Sequence, residues 1–288
     1  MNEISLKAMA KVNLSLDVLR QREDGYHQVR MIMQTINLYD QLSLKKSPMS
    51  GIQLTANVDF LPIDKNNLVY KAAKLLMEEF HIKEGLEIYL EKHIPVAAGM
   101  AGGSSDAAAV LLGVNDLFDL QLSTEELMER GVKIGADVPY CIMGGTALAE
   151  GIGEKLTKLT NMPDCYVLIA KPDISVSTKF VYENLHVSQL KVHPDIDAMI
   201  AEIEKGSLSG VAEEMGNVLE TVTVKAYPVI EDIKNCMKEN GAVNALMSGS
   251  GPTVFGLFAK EEQAQRAKQV LKNCKDLQKL LVTTPFHN

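Results

Sequence analysis

The sequence predicts an α+β fold in two domains, on three observations. Residues 6–18 carry an apolar side chain at every second position, with mostly polar residues between them, which is typical of an extended strand. Residues 68–80 repeat apolar side chains at helical spacing. From residue 166 onward, strand and helix patterns follow one another over a stretch long enough for a second domain. We therefore predict an N-terminal domain over residues 1–160 and a C-terminal domain over residues 161–288.

Two further strands and two further helices are predicted in the N-terminal domain. Residues 52–60 and 86–94 have strand patterns. Residues 106–117 are apolar nearly all round, which indicates a buried helix. Ser123 and Glu126 have the spacing of a capping box, so another helix begins there.

Strands and helices alternate in the C-terminal domain as well. The predicted strands are 166–170, 243–247, 253–258 and 279–284, and the predicted helices are 196–203, 229–237 and 261–273. Such an order favours a sheet covered by helices.

Composition and charge exclude several classes of protein. A net charge of −8 and a pI near 5.4 argue against a broad basic surface that would displace counterions from nucleic acid. No apolar run approaches the length that spans a membrane, and the N-terminus lacks the pattern of a signal peptide. The four cysteines form no pair or cluster at zinc-binding spacing. We expect a soluble, cytoplasmic protein that binds neither nucleic acid nor membrane.

A glycine-rich turn over residues 99–106 lies between a predicted strand and the buried helix. Unbonded N–H groups and the helix dipole favour an anion at such a place, and glycines let a phosphate approach the backbone. A plain strand-to-helix connection is the commoner explanation of any single turn of this kind. A second turn of small residues, 248–252, precedes a predicted strand. Two such turns in separate domains suggest two walls that both present backbone donors to a polyphosphate.

The familiar nucleotide-binding signatures are missing. No glycine is followed by lysine, so the sequence has no Walker-type loop, and G-x-G-x-x-G does not occur. Neither His-Arg-Asp nor Asp-Phe-Gly occurs, which excludes a protein kinase. Residues 102–106 nearly match the G-x-S-x-G nucleophile elbow of hydrolases, but Asp106 stands in place of its second glycine.

Residues 95–108 resemble the second motif, P-x-x-x-G-x-G-G-S-S-x-A-A, of the galactokinase, homoserine kinase and mevalonate kinase superfamily. Ala101 stands where that motif usually has glycine, which costs little if the residue needs no positive φ. Four further segments resemble one member of the superfamily, a kinase whose substrate carries cytidine diphosphate. They are 11–14, 25–27, 135–139 and 248–252.

The resemblance implies a fold, a reaction and its cofactors. The implied fold has an N-terminal domain like the second domain of ribosomal protein S5 and a ferredoxin-like C-terminal domain, with the active site in the cleft between them. The implied reaction uses ATP and Mg²⁺ to phosphorylate the 2-hydroxyl of a cytidine-diphosphate-linked methylerythritol in the non-mevalonate route to isoprenoid precursors. The partner is thus a small-molecule substrate, and we expect a monomer or a weak homodimer. Metal ligands stay unassigned, since Asp106 could either favour the helix N-terminus or reach Mg²⁺ through water.

The resemblance assigns Asp137 as the catalytic base and Lys11 as its electrostatic partner. Pro139 restricts Val138 to extended geometry, which would project Asp137 stiffly from a helix end. A cation beside this carboxylate would keep it ionised and stabilise charge that develops during phosphoryl transfer. Without the resemblance, a turn-forming aspartate and a solvated lysine are the commoner interpretations.

The resemblance also assigns binding residues. Tyr26 and Tyr182 would stack on the two sides of cytosine, and His27 would read the base through hydrogen bonds. Asn67 and Leu68 resemble adenine contacts, although a helix N-cap explains Asn67 equally well. The substrate-binding set is Asn13, Tyr26, His27, Tyr182, Ser248 and Gly249. The ATP-binding set is Asn67, Leu68, Pro95, Val96, Ala97, Ala98, Gly99, Met100, Ala101, Gly102, Gly103, Ser104 and Ser105.

Three alternatives remain open at this point. A sister kinase for homoserine, mevalonate or a sugar would have no use for the Gly25-Tyr26-His27 turn together with Tyr182. A nucleotide sensor without catalysis would not need both Lys11 and Asp137. A serine hydrolase built on Ser104 would react with fluorophosphonate probes.

Overall fold

The chain forms two compact units, each assembled from several stretches of sequence. The computed structural model describes residues 1–274 and 276–287, and of Cys274 the backbone only. The first unit contains Met1–Ala10, Leu38–Val96 and Ala101–Met143, and the second contains Lys11–Asn37, Ala97–Met100 and the chain from Gly144 onward. The division of the sequence between residues 160 and 161 stays a prediction.

Two long strands, β1 (Glu3–Gln21) and β2 (His27–Ser47), contribute residues to both units. Alternation predicts most of β1 but misses β2. Every residue from Met31 to Ile36 is buried, so neither face of that part of β2 is exposed to solvent. A strand buried on both faces loses the period of two that identifies a half-buried strand.

The first unit places two long helices against a small sheet. Its other elements are β3 (Ile52–Ala56), α1 (Leu68–Glu79), β4 (Gly85–Glu91), α2 (Gly102–Leu117), α3 (Thr124–Val132) and α4 (Val138–Met143). β4 pairs antiparallel with residues 41–47 of β2 and parallel with β3. The two strands predicted over residues 52–60 and 86–94 exist as β3 and β4, but both are shorter than predicted. The three helices predicted in this part of the chain are confirmed as α1, α2 and α3.

The core of this unit lies between the sheet and the helices. Its largest contributors are Leu42, Leu44, Leu86, Ile88, Val69, Leu76, Val110 and Leu111. The capping box that begins α3 is present, because the Ser123 hydroxyl accepts from the Glu126 amide at 3.2 Å and the Glu126 carboxylate accepts from the Ser123 amide at 2.8 Å. A buried apolar pattern and a local cap therefore identify these helices correctly.

The second unit contains the remaining strands and helices. They are β5 (Thr146–Gly151), β6 (Lys155–Lys158), β7 (Tyr166–Pro172), α5 (Thr178–Glu183), the 3₁₀ helix Val187–Gln189, α6 (Ile196–Glu204), α7 (Leu208–Glu213), α8 (Glu220–Ala226), α9 (Val229–Glu239), β8 (Asn244–Met247), β9 (Val254–Phe258), α10 (Glu261–Cys274) and β10 (Leu277–Thr283). β5 pairs antiparallel with residues 29–34 of β2 and with β6.

The other four strands of this unit form an antiparallel sheet in the order β10-β7-β9-β8. Strand, helices, two strands, helix and strand follow one another along the chain, which is the βαββαβ arrangement of a ferredoxin-like domain. The expectation for the C-terminal part of the chain is thus confirmed. None of the helices in the described part of the chain is long and apolar enough to cross a membrane.

Candidate functional site

The polar face of β1 is buried from Lys11 to Asp17. Lys11 is 5% exposed and Asn13 is fully buried, and the Lys11 ammonium donates to Asn13 Oδ1 at 2.7 Å. The prediction that the two side chains share one strand face is confirmed, and the interpretation as a solvated face is wrong. Burial of an ammonium is costly unless it is hydrogen-bonded, so the amide oxygen of Asn13 holds this charge in place.

Asn13 connects β1 to the second small-residue turn. Its backbone amide donates to Ser248 Oγ at 3.4 Å, and its side-chain amide donates to the sulfur of Met31 at 3.2 Å. Ser248 Oγ donates in turn to the carbonyl of Gly99 at 2.9 Å. Asn13, Ser248 and Gly99, which are far apart in the sequence and which the resemblance assigns to substrate or ATP, therefore meet in one unit.

Close backbone approach explains the glycines at this meeting point. A Cβ on Gly99 would lie 2.2 Å from the Ser248 carbonyl oxygen, and φ of Gly99 is +73°. A Cβ on Gly249 would lie 3.3 Å from the Gly99 carbonyl oxygen, and its φ is +56°. The sequence predicts that the two turns lie in separate domains. Residues 99–100 of the first turn belong to the same compact unit as residues 248–252, whereas its residues 101–106 belong to the first unit.

Asn217 is a supporting residue that the sequence did not reveal. Its side-chain amide donates to the carbonyls of Met247 and Gly249 at 2.8 Å each. It therefore fixes the backbone on both sides of Ser248. A lone asparagine before a short helix carries no local signal of such a role.

The aromatic residues assigned to cytosine are only partly where the sequence placed them. The ring that faces Tyr182 belongs to His27, at a centroid distance of 4.9 Å and a tilt of 36°. Tyr26 is 60% exposed, and its amide donates to Asp24 Oδ1 at 3.1 Å in the turn before β2. Stacking of a base between Tyr26 and Tyr182 stays a prediction.

Burial lowers the pKa of His27 below its ordinary value of 6.5. Its imidazole is therefore neutral at pH 7 and has one donor and one acceptor nitrogen. Tyr182 lies on α5, and the hydroxyl of Thr178 at the start of that helix bonds to the hydroxyl of Ser250 at 2.8 Å. The aromatic pair is thus connected to the same turn that carries Ser248.

In the first unit, the glycine-rich segment runs directly into α2. The helix begins at Gly102, and Ala101 before it has φ +56° with no side-chain cap. Neither Ser104 nor Ser105 caps the helix, because both already lie in its first turn. Ala101 does adopt the left-handed conformation, so alanine in place of the usual glycine costs about 1–2 kcal/mol.

The two serines of this segment differ in their surroundings. Ser105 is buried, and its hydroxyl donates to the carbonyl of Met9. Ser104 is half-buried, and a Cβ on Gly135 would lie 3.9 Å from its hydroxyl. Ser104 is the serine better placed to contact a ligand, and an ATP contact by Ser105 stays a prediction.

The predicted adenine contacts lie at the start of α1. Asn67 is the N-cap of this helix, since its Oδ1 accepts from the Val69 amide at 2.9 Å. Its Nδ2 donates to the Pro62 carbonyl at 2.8 Å. A Cβ on Gly103 would lie 3.6 Å from Leu68 Cδ1, so α1 and the glycine-rich segment meet at these two residues. The capping interpretation is confirmed, while contact with adenine stays a prediction.

Asp137 directly precedes α4 and is half-buried. The prediction that Pro139 holds Val138 in extended geometry is wrong, because Val138 is the first residue of α4. Proline fits the first turn of a helix, where its missing N–H has no partner to lose. Asp137 is positioned by the helix that follows it, since its carbonyl accepts from the Cys141 amide at 3.1 Å.

Asp106 is neither a helix cap nor solvated. Its Oδ2 accepts from the Lys92 ammonium at 2.7 Å, while no hydrogen-bond partner of its buried Oδ1 is found among the described residues. Burial raises the pKa of Asp106 to about 8, against the opposing charge of Lys92. No group of three metal-ligating side chains is found among residues 1–274 and 276–287.

We predict that Gly99→Ala lowers the free energy of unfolding by roughly 2–4 kcal/mol, because the new methyl group clashes with a carbonyl oxygen and the backbone is left-handed there. Gly103→Ala is the matched control, since the nearest atom to its added Cβ is 3.6 Å away. Urea unfolding of both variants measures the difference. Equal stability of the two variants would contradict the close approach of Gly99 to Ser248.

Comparison with known protein families finds a match in each half of the chain. Residues 67–145 match the N-terminal domain of GHMP kinases, and residues 199–276 match the C-terminal domain of GHMP kinases. A protein of Lachnospira eligens named 4-diphosphocytidyl-2-C-methyl-D-erythritol kinase is 54% identical over 99% of both chains. A protein of the same name from Clostridioides difficile is 52% identical over 94% of this chain and 92% of its own.

Solved structures agree with these matches. A crystal structure of 4-(cytidine 5'-diphospho)-2C-methyl-D-erythritol kinase has a TM-score of 0.84 and 31% identity, and covers 99% of this chain and 100% of that chain. Homoserine kinase from Cytophaga hutchinsonii has a TM-score of 0.81 at 22% identity, and covers 100% of this chain and 96% of that chain, which shows the shared fold alone. The chain therefore belongs to the GHMP kinase family, among the 4-diphosphocytidyl-2-C-methyl-D-erythritol kinases.

Proposed function

We propose that this protein transfers the γ-phosphoryl group of ATP to the 2-hydroxyl of 4-diphosphocytidyl-2-C-methyl-D-erythritol, in the cytoplasm, as a step of the non-mevalonate isoprenoid route. Relatives of that name are more than half identical to the chain over nearly its whole length. The observation that carries the choice of substrate is the contact between the rings of His27 and Tyr182. The acceptor substrates homoserine and mevalonate carry no nucleobase, so kinases for them would not need such a pair to bind the acceptor.

ATP is the phosphoryl donor in this family, and the glycine-rich segment is its proposed binding site. The first turn of α2 presents backbone N–H groups that have no partner within the helix, and such groups bind phosphate oxygens. Gly103 leaves space next to Leu68, which supports contact of these residues with the nucleotide. Ser104 would add a hydroxyl to the same surface.

Mg²⁺ is proposed to accompany ATP. This ion retains several waters and is typically bound by substrate phosphates with one or two protein groups, so a complete cage of side chains is not required. When bound, Mg²⁺ neutralises charge on the phosphates. The chain's own residues then need only hold the nucleotide and the acceptor hydroxyl in line.

Asp137 is the proposed base and Lys11 the proposed source of positive charge. As the 2-hydroxyl oxygen bonds to the γ-phosphorus, the bond from that phosphorus to the bridging oxygen breaks and ADP leaves. The hydroxyl proton passes to the Asp137 carboxylate. Lys11 stabilises negative charge on the phosphoryl group in transit, and Asn13 holds its ammonium at 2.7 Å.

Cytosine is proposed to lie against Tyr26 and Tyr182, with His27 reading its edge. A neutral imidazole has one donor and one acceptor nitrogen, so it can either donate to the ring nitrogen of cytosine or accept from its amino group. Uracil presents a ring N–H and a carbonyl at the same positions. A site built for cytosine would leave buried polar groups unpaired with uracil.

Asp137→Asn should lower kcat by roughly 10²–10⁴ while ATP affinity is unchanged, because the amide keeps the shape of the carboxylate but cannot accept the proton. Lys11→Ala should lower kcat as well. Release of ADP measures the rate, and calorimetry measures ATP binding. Asp59→Asn, a change of the same kind in a loop of the first unit, is the control. Turnover by Asp137→Asn near the wild-type rate would refute the assignment of the base.

His27→Ala should reduce the preference for the cytidine over the uridine form of the substrate, as measured by kcat/KM for each. Because the pKa of His27 lies below 6.5, the neutral ring persists through pH 7–8. We therefore expect KM for the cytidine substrate to stay constant there in the wild type and to rise as acid protonates the ring. The control is His186→Ala, on an exposed residue beyond α5. A wild type that accepts both bases equally would contradict readout by His27.

A further inference from the structure

Three buried ionisable groups of the first unit lie next to the two ends of the glycine-rich segment. Asp40 of β2 is fully buried, and the Lys92 side chain that follows β4 is 5% exposed. The Lys92 ammonium donates both to Asp40 Oδ2 and to Asp106 Oδ2 on α2. One ammonium therefore bridges two carboxylates that belong to different elements. The proposed transfer of a phosphoryl group uses none of the three.

The cluster holds the chain where it enters the glycine-rich segment. Asp40 Oδ1 accepts from the backbone amides of His93 and Ile94, the latter at 2.7 Å. The Lys92 amide donates to Asn57 Oδ1 at 2.8 Å. The residues just before Pro95 are thus fixed by hydrogen bonds to buried or neighbouring side chains.

The same cluster holds the chain where the segment ends. Asp106 lies in the first turns of α2, and the Lys92 ammonium reaches it from the entering side. A Cβ on Gly102 would lie 3.1 Å from Ile94 and 3.3 Å from the Lys92 ammonium, so the start of α2 packs directly on these two residues. One side chain therefore ties both ends of the segment together.

Stability does not account for such an arrangement. Removing charged groups from water costs several kcal/mol per ion, and well-packed apolar side chains often stabilise a core as much or more. In the part of the chain that the structure describes, Oδ1 of Asp106 has no hydrogen-bond partner, and a buried acceptor without a partner adds to the cost. The directed contacts of the cluster do, however, fix backbone geometry in a way that apolar contacts do not.

We infer that Asp40, Lys92 and Asp106 are positioning residues, which hold the glycine-rich segment in the conformation that binds ATP. This inference rests on the proposed function of that segment. A phosphate cradle made of backbone N–H groups must be held to within a fraction of an ångström, and residues 97–103 have no polar side chain of their own to hold it. Loss of the cluster should therefore weaken ATP binding without affecting the cytidine substrate.

Lys92→Met tests this, because it keeps the length of the side chain and removes both ion pairs. We expect KM for ATP and the calorimetric Kd for ATP to rise about tenfold or more, because a charged hydrogen-bond network is lost. We expect KM for the cytidine substrate to change less than about twofold. Lys74→Met is the matched control, since Lys74 on α1 is 50% exposed and pairs with Glu78 at 3.5 Å. Wild-type ATP affinity in a folded Lys92→Met protein would overturn the inference.

Lys92→Met could leave two unpaired carboxylates in the core and prevent folding. A triple variant that combines it with Asp40→Asn and Asp106→Asn leaves no buried charge, and the same loss of ATP affinity is expected. Wild-type affinity in the triple variant, or its failure to fold, would contradict a positioning role. If the wild type binds ATP but does not phosphorylate the cytidine substrate, the proposed function is refuted and this inference still holds. If the wild type does not bind ATP, both are refuted.

Discussion

The close approach of the backbone at Gly99 to the backbone at Ser248 is the contact on which the candidate site of the second unit depends. No side chain fits there, because a Cβ on Gly99 would lie 2.2 Å from a carbonyl oxygen. Ser248 adds a hydrogen bond to the Gly99 carbonyl, and it also accepts from the amide of Asn13. Asn13 in turn holds the ammonium of Lys11. The position of the proposed catalytic lysine therefore depends on a series of contacts that starts at Gly99, where the backbones can meet because glycine has no side chain.

Much of the fold could be predicted from sequence because its elements have strong local patterns. The alternation along β1, the apolar run of α2 and the capping box of α3 are each fixed by neighbours in the chain. β2 was missed because residues 31–36 are buried on both faces and show no alternation. The short helices α5, α7 and α8 were missed because six or seven residues are too few to show a helical period.

The site was predictable to the extent that its residues sit in recognisable motifs. The shared face of Lys11 and Asn13 followed from strand geometry alone. By contrast, the burial of that face and the bridge from Lys92 to Asp40 and Asp106 depend on which strands become neighbours. Local sequence does not encode this, so a lysine at the end of a strand pattern looks the same whether it is solvated or contacts two buried carboxyl groups. The geometry around Val138 was predicted wrongly because a preference of residues before proline was overridden by the first turn of α4.

The most direct test of the account is release of ADP by the purified protein with ATP and Mg²⁺, with 4-diphosphocytidyl-2-C-methyl-D-erythritol compared with mevalonate, homoserine and galactose. Solved homoserine and mevalonate kinases share the fold, so the acceptor is what distinguishes these kinases from one another. The account predicts that kcat/KM for the cytidine-linked acceptor exceeds that for each of the others by about a hundredfold or more, since a polar recognition site leaves its groups unpaired with the wrong ligand. Turnover of mevalonate, homoserine or galactose at a comparable rate would contradict it.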